Sequence, residues 1–395
     1  MNFSRCIQAG RILLLISVAI CLQVRPVCSQ IVEPEHCSAA ESELPTGLLP
    51  SQPQALQDKT YRHALAEFKA GQLNQAAQEL QSLDFASARN ALGVVLQALG
   101  DRDRALDAFQ QARKLWPDSA EVAYNLANLM MQVDRPNAAI FHLQTALHTY
   151  RDHDQTRFYL RLLLAQAYRT AGNEKLAAQT LEALLSQRPN SAELRFNLAS
   201  AYGSSGSFED SVKQYREGLR LTPEDCTALM GLSKTLLQMG KASDAMSWLK
   251  DYVRLRPKDA EGYYVLGRAF RDLDQFTEAA AMFSKAVHLS PENYDMRYQF
   301  AMTLWKAANH DAALEQFEAA ENLKPDEVQV HSALARVLSE LGRKEEAGQE
   351  TASAERLMSG QRDLDRASFC IGMGNTFLQR GDLKNAEAQF REGSQ

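Results

Sequence analysis

The sequence predicts an all-α solenoid of helix-turn-helix units, on three observations. Pro189, Pro223, Pro257, Pro291 and Pro325 are each 34 residues apart, and Pro117 belongs to the same series, displaced by one longer step of 38. Two columns of small residues keep that period. The first is Gly93, Ala127, Ala165, Ala199, Ser233, Gly267, Ala301 and Ala335. The second, twelve residues on, is Ala105, Ala139, Ala177, Ser211, Ala245, Ala279, Ala313 and Ala347. Within a unit the apolar residues fall three or four apart, as in Leu92, Val95, Leu96 and Leu99, which places them on one face of a helix.

Each element of the unit has a local cause. Ser119, Ser191, Asp225, Asp259 and Asn293 stand two residues after a proline, and their side chains can cap the amides that open a helix. Gly100, Gly172, Gly206, Gly240 and Gly342 follow the first helix, where a left-handed residue ends it. The paired small columns let the two helices of a unit approach closely. Four residues beyond the second column come Phe109, Leu143, Leu181, Tyr215, Leu249, Phe283 and Phe317, with Thr351 as a misfit. Proline then stops the second helix, because it has no amide to donate.

Full units fall at 86–119, 120–153, 158–191, 192–225, 226–259, 260–293, 294–327 and 328–361. A degenerate unit at 57–85 precedes them, anchored by Ala64, Gly71 and Ala76. An incomplete one at 367–395 follows, anchored by Gly374, Gly381, Ala386 and Phe390. Residues 57–395 thus form one array of about ten units, whose core grows along a single axis. Short insertions are expected at 154–157, where Arg151 replaces the proline, and at 362–366. The unit before the second insertion is weak, with Thr351, Ser359 and Gly360 at column positions, and local opening is expected there.

The N-terminus reads as a secretory signal over residues 1–29. Arg5 and Arg11 supply a positive region before an apolar run from Ile12 to Val24, too short for a comfortable membrane span, and Val27 and Ser29 are small enough for a cut after Ser29. The mature chain is then expected outside the cytoplasm, in the periplasm, the envelope or the medium, with no transmembrane span. An uncleaved signal would serve as an N-terminal anchor. Residues 30–56 carry four prolines, several acids and few large apolar side chains, which reads as a flexible leader. Cys37, Cys226 and Cys370 remain after cleavage. Their odd number and wide spacing show no disulfide framework or metal spacing, so the array is expected to be unstapled.

The segments from Ala120 to Leu147 (AEVAYNLANLMMQVDRPNAAIFHLQTAL), from Ala192 (AELRFNLASAYGSSGSFEDSVKQYREGLRLTP) and from Ala260 (AEGYYVLGRAFRDLDQFTEAAAMFSKAVHLSP) resemble the tetratricopeptide repeat. The resemblance implies a right-handed superhelix whose first helices line a concave groove, with positions 2, 5, 9, 12 and 13 of each unit facing it. It also implies a protein or peptide ligand. Recognition of an acidic C-terminal tail, known in some members of the family, fails here. Asn128 and Asn197 are isolated matches, while Tyr124, Tyr159 and Leu163 stand where cations are needed. A continuous asparagine ladder, starting from Asn125 and Asn197, is broken by Leu163, Gly231 and Val265.

Chemistry-bearing motifs are absent: no Gly-rich phosphate loop, HExxH or CxxC pattern occurs, so neither enzyme nor cofactor is expected. The net charge of −6, with no field of Lys and Arg, argues against nucleic acid. His142, His148 and His153, beside Asp152 and Asp154, read as a solvated polar turn and not a metal site, because no i, i+4 His pair occurs. Glu121, Glu193 and Glu261 sit in first turns, where acids complement the helix dipole. The expected function is an exported scaffold that binds a protein or peptide in its groove. The alternatives are the recognition arm of a larger enzyme and a plain spacer. The candidate groove residues are Tyr264, Arg268 and Arg271, at positions 5, 9 and 12 of one unit, and Tyr298, Met302 and Trp305 at the same positions of the next. Tyr124, Asn128 and Phe196 extend the row toward the N-terminus. Phe390 and its neighbours are expected to leave an apolar end face, which points either to a longer chain or to self-association.

Overall fold

The computed structural model describes Gly47, residues 55–150 and residues 155–394. The signal segment, nearly all of the leader, and His153 with its neighbouring acids lie outside the described residues. Among those described, every regular element is a helix, and the helices pair as the period requires.

The molecule comprises two compact units divided after Thr235. The first holds the pairs Lys59–Lys69 (α1) with Leu73–Gln81 (α2), Ala86–Ala98 (α3) with Arg102–Leu115 (α4), and Ala120–Gln132 (α5) with Pro136–Thr149 (α6). Gln155–Thr170 (α7) with Glu174–Gln187 (α8) and Ala192–Ser204 (α9) with Phe208–Leu221 (α10) follow. The helix Cys226–Gln238 (α11) straddles the division. The second unit holds Ala242–Leu255 (α12), Ala260–Asp272 (α13) with Phe276–Leu289 (α14), Tyr294–Lys306 (α15) with His310–Leu323 (α16), Val328–Glu340 (α17), Lys344–Gln379 (α18) and Leu383–Gly393 (α19).

The local signals act as their chemistry demands. Ser119 accepts from the Val122 amide, Ser191 from Leu194, Asp225 from Ala228, Asp259 from Glu261 and Asn293 from Met296. The second helices end at Leu115, Gln187, Leu221, Leu255, Leu289 and Leu323, each two residues before a proline of the 34-residue series. The small column meets the bulky one: a Cβ on Gly93 would lie 2.5 Å from the Phe109 ring, and one on Gly267 3.0 Å from Phe283. Phe109, Phe283 and Phe317 are fully buried in this way.

All eight full units turn through a left-handed residue at position 15. Five use glycine, but Asp134, Asp274 and Ala308 occupy the same conformation with φ of 56°, 57° and 58°. An L side chain there costs about 1 kcal/mol, and alanine has no polar group to offset it. Ala308→Gly is therefore expected to raise stability by about 1 kcal/mol, read as a higher urea midpoint with an unchanged slope. A lower midpoint would contradict this.

A second recurring device joins successive units. Arg195, at position 4, donates to the Pro189 carbonyl at 2.8 Å and to Gln214 at 3.0 Å. Arg297, also at position 4, donates to the Pro291 carbonyl at 2.8 Å and to Gln316 at 3.2 Å. In the unit that starts at 328 the same place is taken by His331. Its Nε2 lies 2.7 Å from the Pro325 carbonyl, and its Nδ1 2.7 Å from Glu350 and 3.6 Å from Glu321.

Two expectations are corrected. The insertion expected at 362–366 does not interrupt the helix: α18 runs unbroken for 36 residues. Ser359 stands where other units carry proline, and it keeps the amide a helix needs, so nothing stops the helix there. The array is also not free of disulfides. Cys226 is disulfide-bonded, whereas Cys370 is a buried free thiol. Wide spacing in the sequence is no bar to pairing, because folding brings distant cysteines together.

Candidate protein-binding groove

In the second compact unit the first helices α13 and α15 carry the two predicted triplets, and all six side chains are partly exposed. The rings are held from behind. Tyr264 leans on Phe283 with centroids 5.7 Å apart. Tyr298 stands edge-on to Phe317 at 5.6 Å and stacks on Tyr294 at 5.8 Å. Burial pushes both phenols above their ordinary pKa, so each stays protonated at neutral pH and can donate a hydrogen bond. Arg268 and Arg271 lie close enough to Tyr264 to act on it electrostatically.

Position 12 has a duty that the sequence did not disclose. Arg271 donates to Gln299 of the following unit, and its guanidinium is 3.7 Å from Asp272. The Trp305 indole donates to Glu340 at 2.6 Å, and His310 Nδ1 is 3.0 Å from the same carboxylate. Both side chains are thus held in place across a repeat boundary while some of their surface stays open. The result is a preorganised patch with two aromatic phenols, a methionine, an indole and two guanidinium groups. Such a surface buries apolar side chains well and can pair with carbonyls or carboxylates.

In the first compact unit the predicted residues are more enclosed. Tyr124 is 1% exposed, so its ring belongs to the core. Phe196 is half-buried, stacked on Tyr215 and wedged against Gly218. Asn128 is half-buried. Asn125 donates to Asn90 at 2.9 Å, and both are buried. Farther along, Arg169, again at position 12, donates to Asn197 at 3.3 Å and Ser200 at 2.7 Å. It borders a cavity of about 130 Å³ lined also by Leu162, Gln166, Leu181, Glu193 and Asn197. The recurrence of arginine at position 12, in Arg169 and Arg271, is a signal for this pocket visible in the sequence.

Two groups of His and carboxylate side chains converge among the described residues: His63 with Glu67 and Glu79, and His331 with Glu321 and Glu350. In the first only His63 is exposed, and its imidazole pKa is raised chiefly by the hydrogen bond to Glu79. The second is the joint between units described above. No described helix is long and apolar enough to cross a membrane.

Family models described as tetratricopeptide repeat match residues 96–167 and 270–337, and a second pair of matches covers 162–225 and 196–260. The chain belongs to the tetratricopeptide repeat family. Tetratricopeptide repeat proteins are protein-interaction scaffolds, and this chain has the helical repeat fold of that family. Similar solved structures include MamA 41-end from Desulfovibrio magneticus RS-1. It is 23% identical over 42% of this chain and 95% of that one, with a TM-score of 0.42. YrrB, described as a TPR protein with an unusual peptide-binding site, is 21% identical over 46% of this chain and 93% of that one, TM-score 0.41. A tetratricopeptide repeat protein from Parabacteroides merdae is 17% identical over 64% of this chain and 99% of that one, TM-score 0.47. No curated protein matches the chain.

Proposed function

We propose that this tetratricopeptide repeat protein is an exported scaffold without turnover of its own, and that it binds a segment of a partner protein along its first helices. The observation that carries this reading is the row Tyr264, Arg268, Arg271, Tyr298, Met302 and Trp305. All six are partly open on α13 and α15, and the two tyrosines are braced by buried phenylalanines. A spacer needs no such patch, and rigid aromatic and arginine anchors are what interface hot spots use. Export is supported by the Arg-flanked apolar run before Ser29, and the bonded Cys226 suits an oxidising compartment. Leu378 and Leu383, exposed beside Phe390, form an apolar face that suits self-association.

Replacing Arg271 and Trp305 together by Ala is expected to weaken binding to a co-purified partner by about 2 kcal/mol or more, with little change in the thermal midpoint. Binding that persists unaltered, or a double variant that no longer folds, removes the patch as the recognition site. Glu340→Gln retains an acceptor for the indole, so it separates lost contact from lost positioning. N-terminal sequencing of protein from its host is expected to read from Gln30. An intact Met1 in cytosolic protein overturns export.

A further inference from the structure

Three helices of the second compact unit bring together side chains that the repeat pattern does not require. Glu321 stands on α16, His331 on α17 and Glu350 on α18. Their nitrogen and carboxylate atoms all lie within 4.8 Å of one another. The His331 side chain is 6% exposed, against 30% for Glu321 and 22% for Glu350. Elsewhere Arg195 with Gln214 and Arg297 with Gln316 hold positions 4 and 23, and here the pair is His331 and Glu350. At position 28 five other units carry an apolar residue, namely Leu147, Leu185, Leu219, Val253 and Val287, where this junction carries Glu321. A joint between units does not need that third change, since arginine and glutamine already make one.

The hydrogen bonds fix which imidazole nitrogen is available. Nε2 faces the Pro325 carbonyl at 2.7 Å, and a carbonyl only accepts, so Nε2 carries a proton. Nδ1 is the variable atom. It points between two carboxylates, 2.7 Å from Glu350 and 3.6 Å from Glu321. Metal-binding histidines nearly always donate their other ring N–H in this way, to a carbonyl, a carboxylate or water. The charges fit as well. Those acting on Glu321 are Glu350, His331 and Glu318, so a single base stands among acids. A proton on Nδ1 balances one carboxylate. A divalent ion in its place balances Glu321 and Glu350 together and leaves the imidazole neutral. Zinc binds nitrogen and carboxylate oxygen at about 2.1 Å, which in a tetrahedron sets the ligand atoms about 3.4 Å apart. The Glu321 distance is close to that, and the Glu350 carboxylate has to retreat by about 0.7 Å. Both carboxylates are partly exposed, so an ion has a way in.

We propose that Glu321, His331 and Glu350 form a binding site for one divalent transition-metal ion of the zinc class, which clamps α16, α17 and α18 together. One nitrogen and two oxygens suit such an ion better than Mg2+ or Ca2+, which take oxygen ligands. Three protein ligands leave a fourth place for water. On binding, the ion takes the place of the Nδ1 proton, which passes to the buffer, and a chelator restores the proton. The three ligands meet only in the folded junction, so the ion stabilises the second unit. The site lies at a joint between repeats and serves a role apart from the groove.

The test uses the full-length protein with His63→Ala, which removes the other convergence of His and carboxylates. After treatment with EDTA and its removal, Zn2+ is titrated calorimetrically at about pH 7.5, where little of a free imidazole is protonated. Binding of one ion per chain is expected. The urea midpoint of the second unit, read by tryptophan fluorescence, should rise with Zn2+. His331→Arg keeps a donor for the Pro325 carbonyl, as Arg195 and Arg297 do in their own units, and should lose both signals. Glu350→Gln should bind at least about tenfold more weakly, and it decides the matter should the arginine variant fail to fold. Cys370→Ser should bind as its parent does, which separates the site from the buried thiol. Mg2+ should give neither signal. Binding that is absent from the parent, undiminished in His331→Arg or Glu350→Gln, lost in Cys370→Ser, or matched by Mg2+ overturns the proposal. No partner enters the experiment, so its outcome is separate from that of the Arg271 and Trp305 variants.

Discussion

Phe317→Ala is expected to cost about 3–5 kcal/mol, the usual loss for a large aromatic removed from a close-packed core. Phe317 is 0% exposed, and its ring fills the space between the two helices of its unit beside the small residues Ala301 and Ala313. Neither alanine can grow into the vacated volume, so a cavity remains. In a repeat array each unit leans only on its neighbours, so the loss should appear as earlier melting of the second compact unit and not as a uniform shift. Trp248 and Trp305 report on that unit and Trp116 on the first, which lets fluorescence in urea assign the transition. Partner binding should fall too, although no groove residue is changed, because Tyr298 loses the ring that braces it. A loss below about 1 kcal/mol would mean that the site collapses freely and that the column is not structural.

His331 is expected to make stability depend on pH near neutrality. Its Nε2 faces a carbonyl and its Nδ1 faces the carboxylates of Glu350 and Glu321, so both nitrogens must donate, which only the imidazolium can do. Burial pulls its pKa down. The hydrogen bonds to Glu350 and the Pro325 carbonyl, with the charges of Glu350 and Glu321, outweigh that and leave it raised. For a base raised on folding, the stabilisation is complete below the unfolded value, about 6.5. It is lost as pH climbs through the folded value. The urea midpoint of the second unit should therefore fall as the pH is raised above about 6.5. In His331→Arg the fall should largely vanish, since arginine does the same work at 195 and 297. His331→Leu should cost about 2 kcal/mol at pH 6 by leaving the Pro325 carbonyl and Glu350 without their donor. A His331→Arg protein with the wild-type pH profile would refute the assignment.

Repeat, caps, turns and stops were all legible, because each is set within a few residues. A serine two positions after a proline caps a helix wherever the chain goes next, and Ser119 and Ser191 do so. The left-handed turn was visible where glycine marks it. At Asp134 and Asp274 the residue type only permits it, and at Ala308, whose type argues against that conformation, the register alone reveals it. The joints between units were written in the sequence but in columns of another kind. Arg195 with Gln214, Arg297 with Gln316 and His331 with Glu350 are all positions 4 and 23, and a polar pair changing together from Arg and Gln to His and Glu is a trace of contact. Apolar and small-residue columns do not contain it. In the candidate groove, helical spacing placed the two triplets. The bond from Trp305 to Glu340 joins residues 35 apart in different units, which no spacing within one helix foretells.

The unbroken helix α18 has a mechanical meaning. At 1.5 Å per residue its 36 residues make a rod about 54 Å long. A helical repeat array under tension yields at its joints, each hinge opening a little, so that the whole behaves as a soft spring. Between α17 and α19 the hinge has been welded shut. A pull on the last unit is passed straight to the one before it, and the two should come loose in a single step, where their neighbours detach in succession.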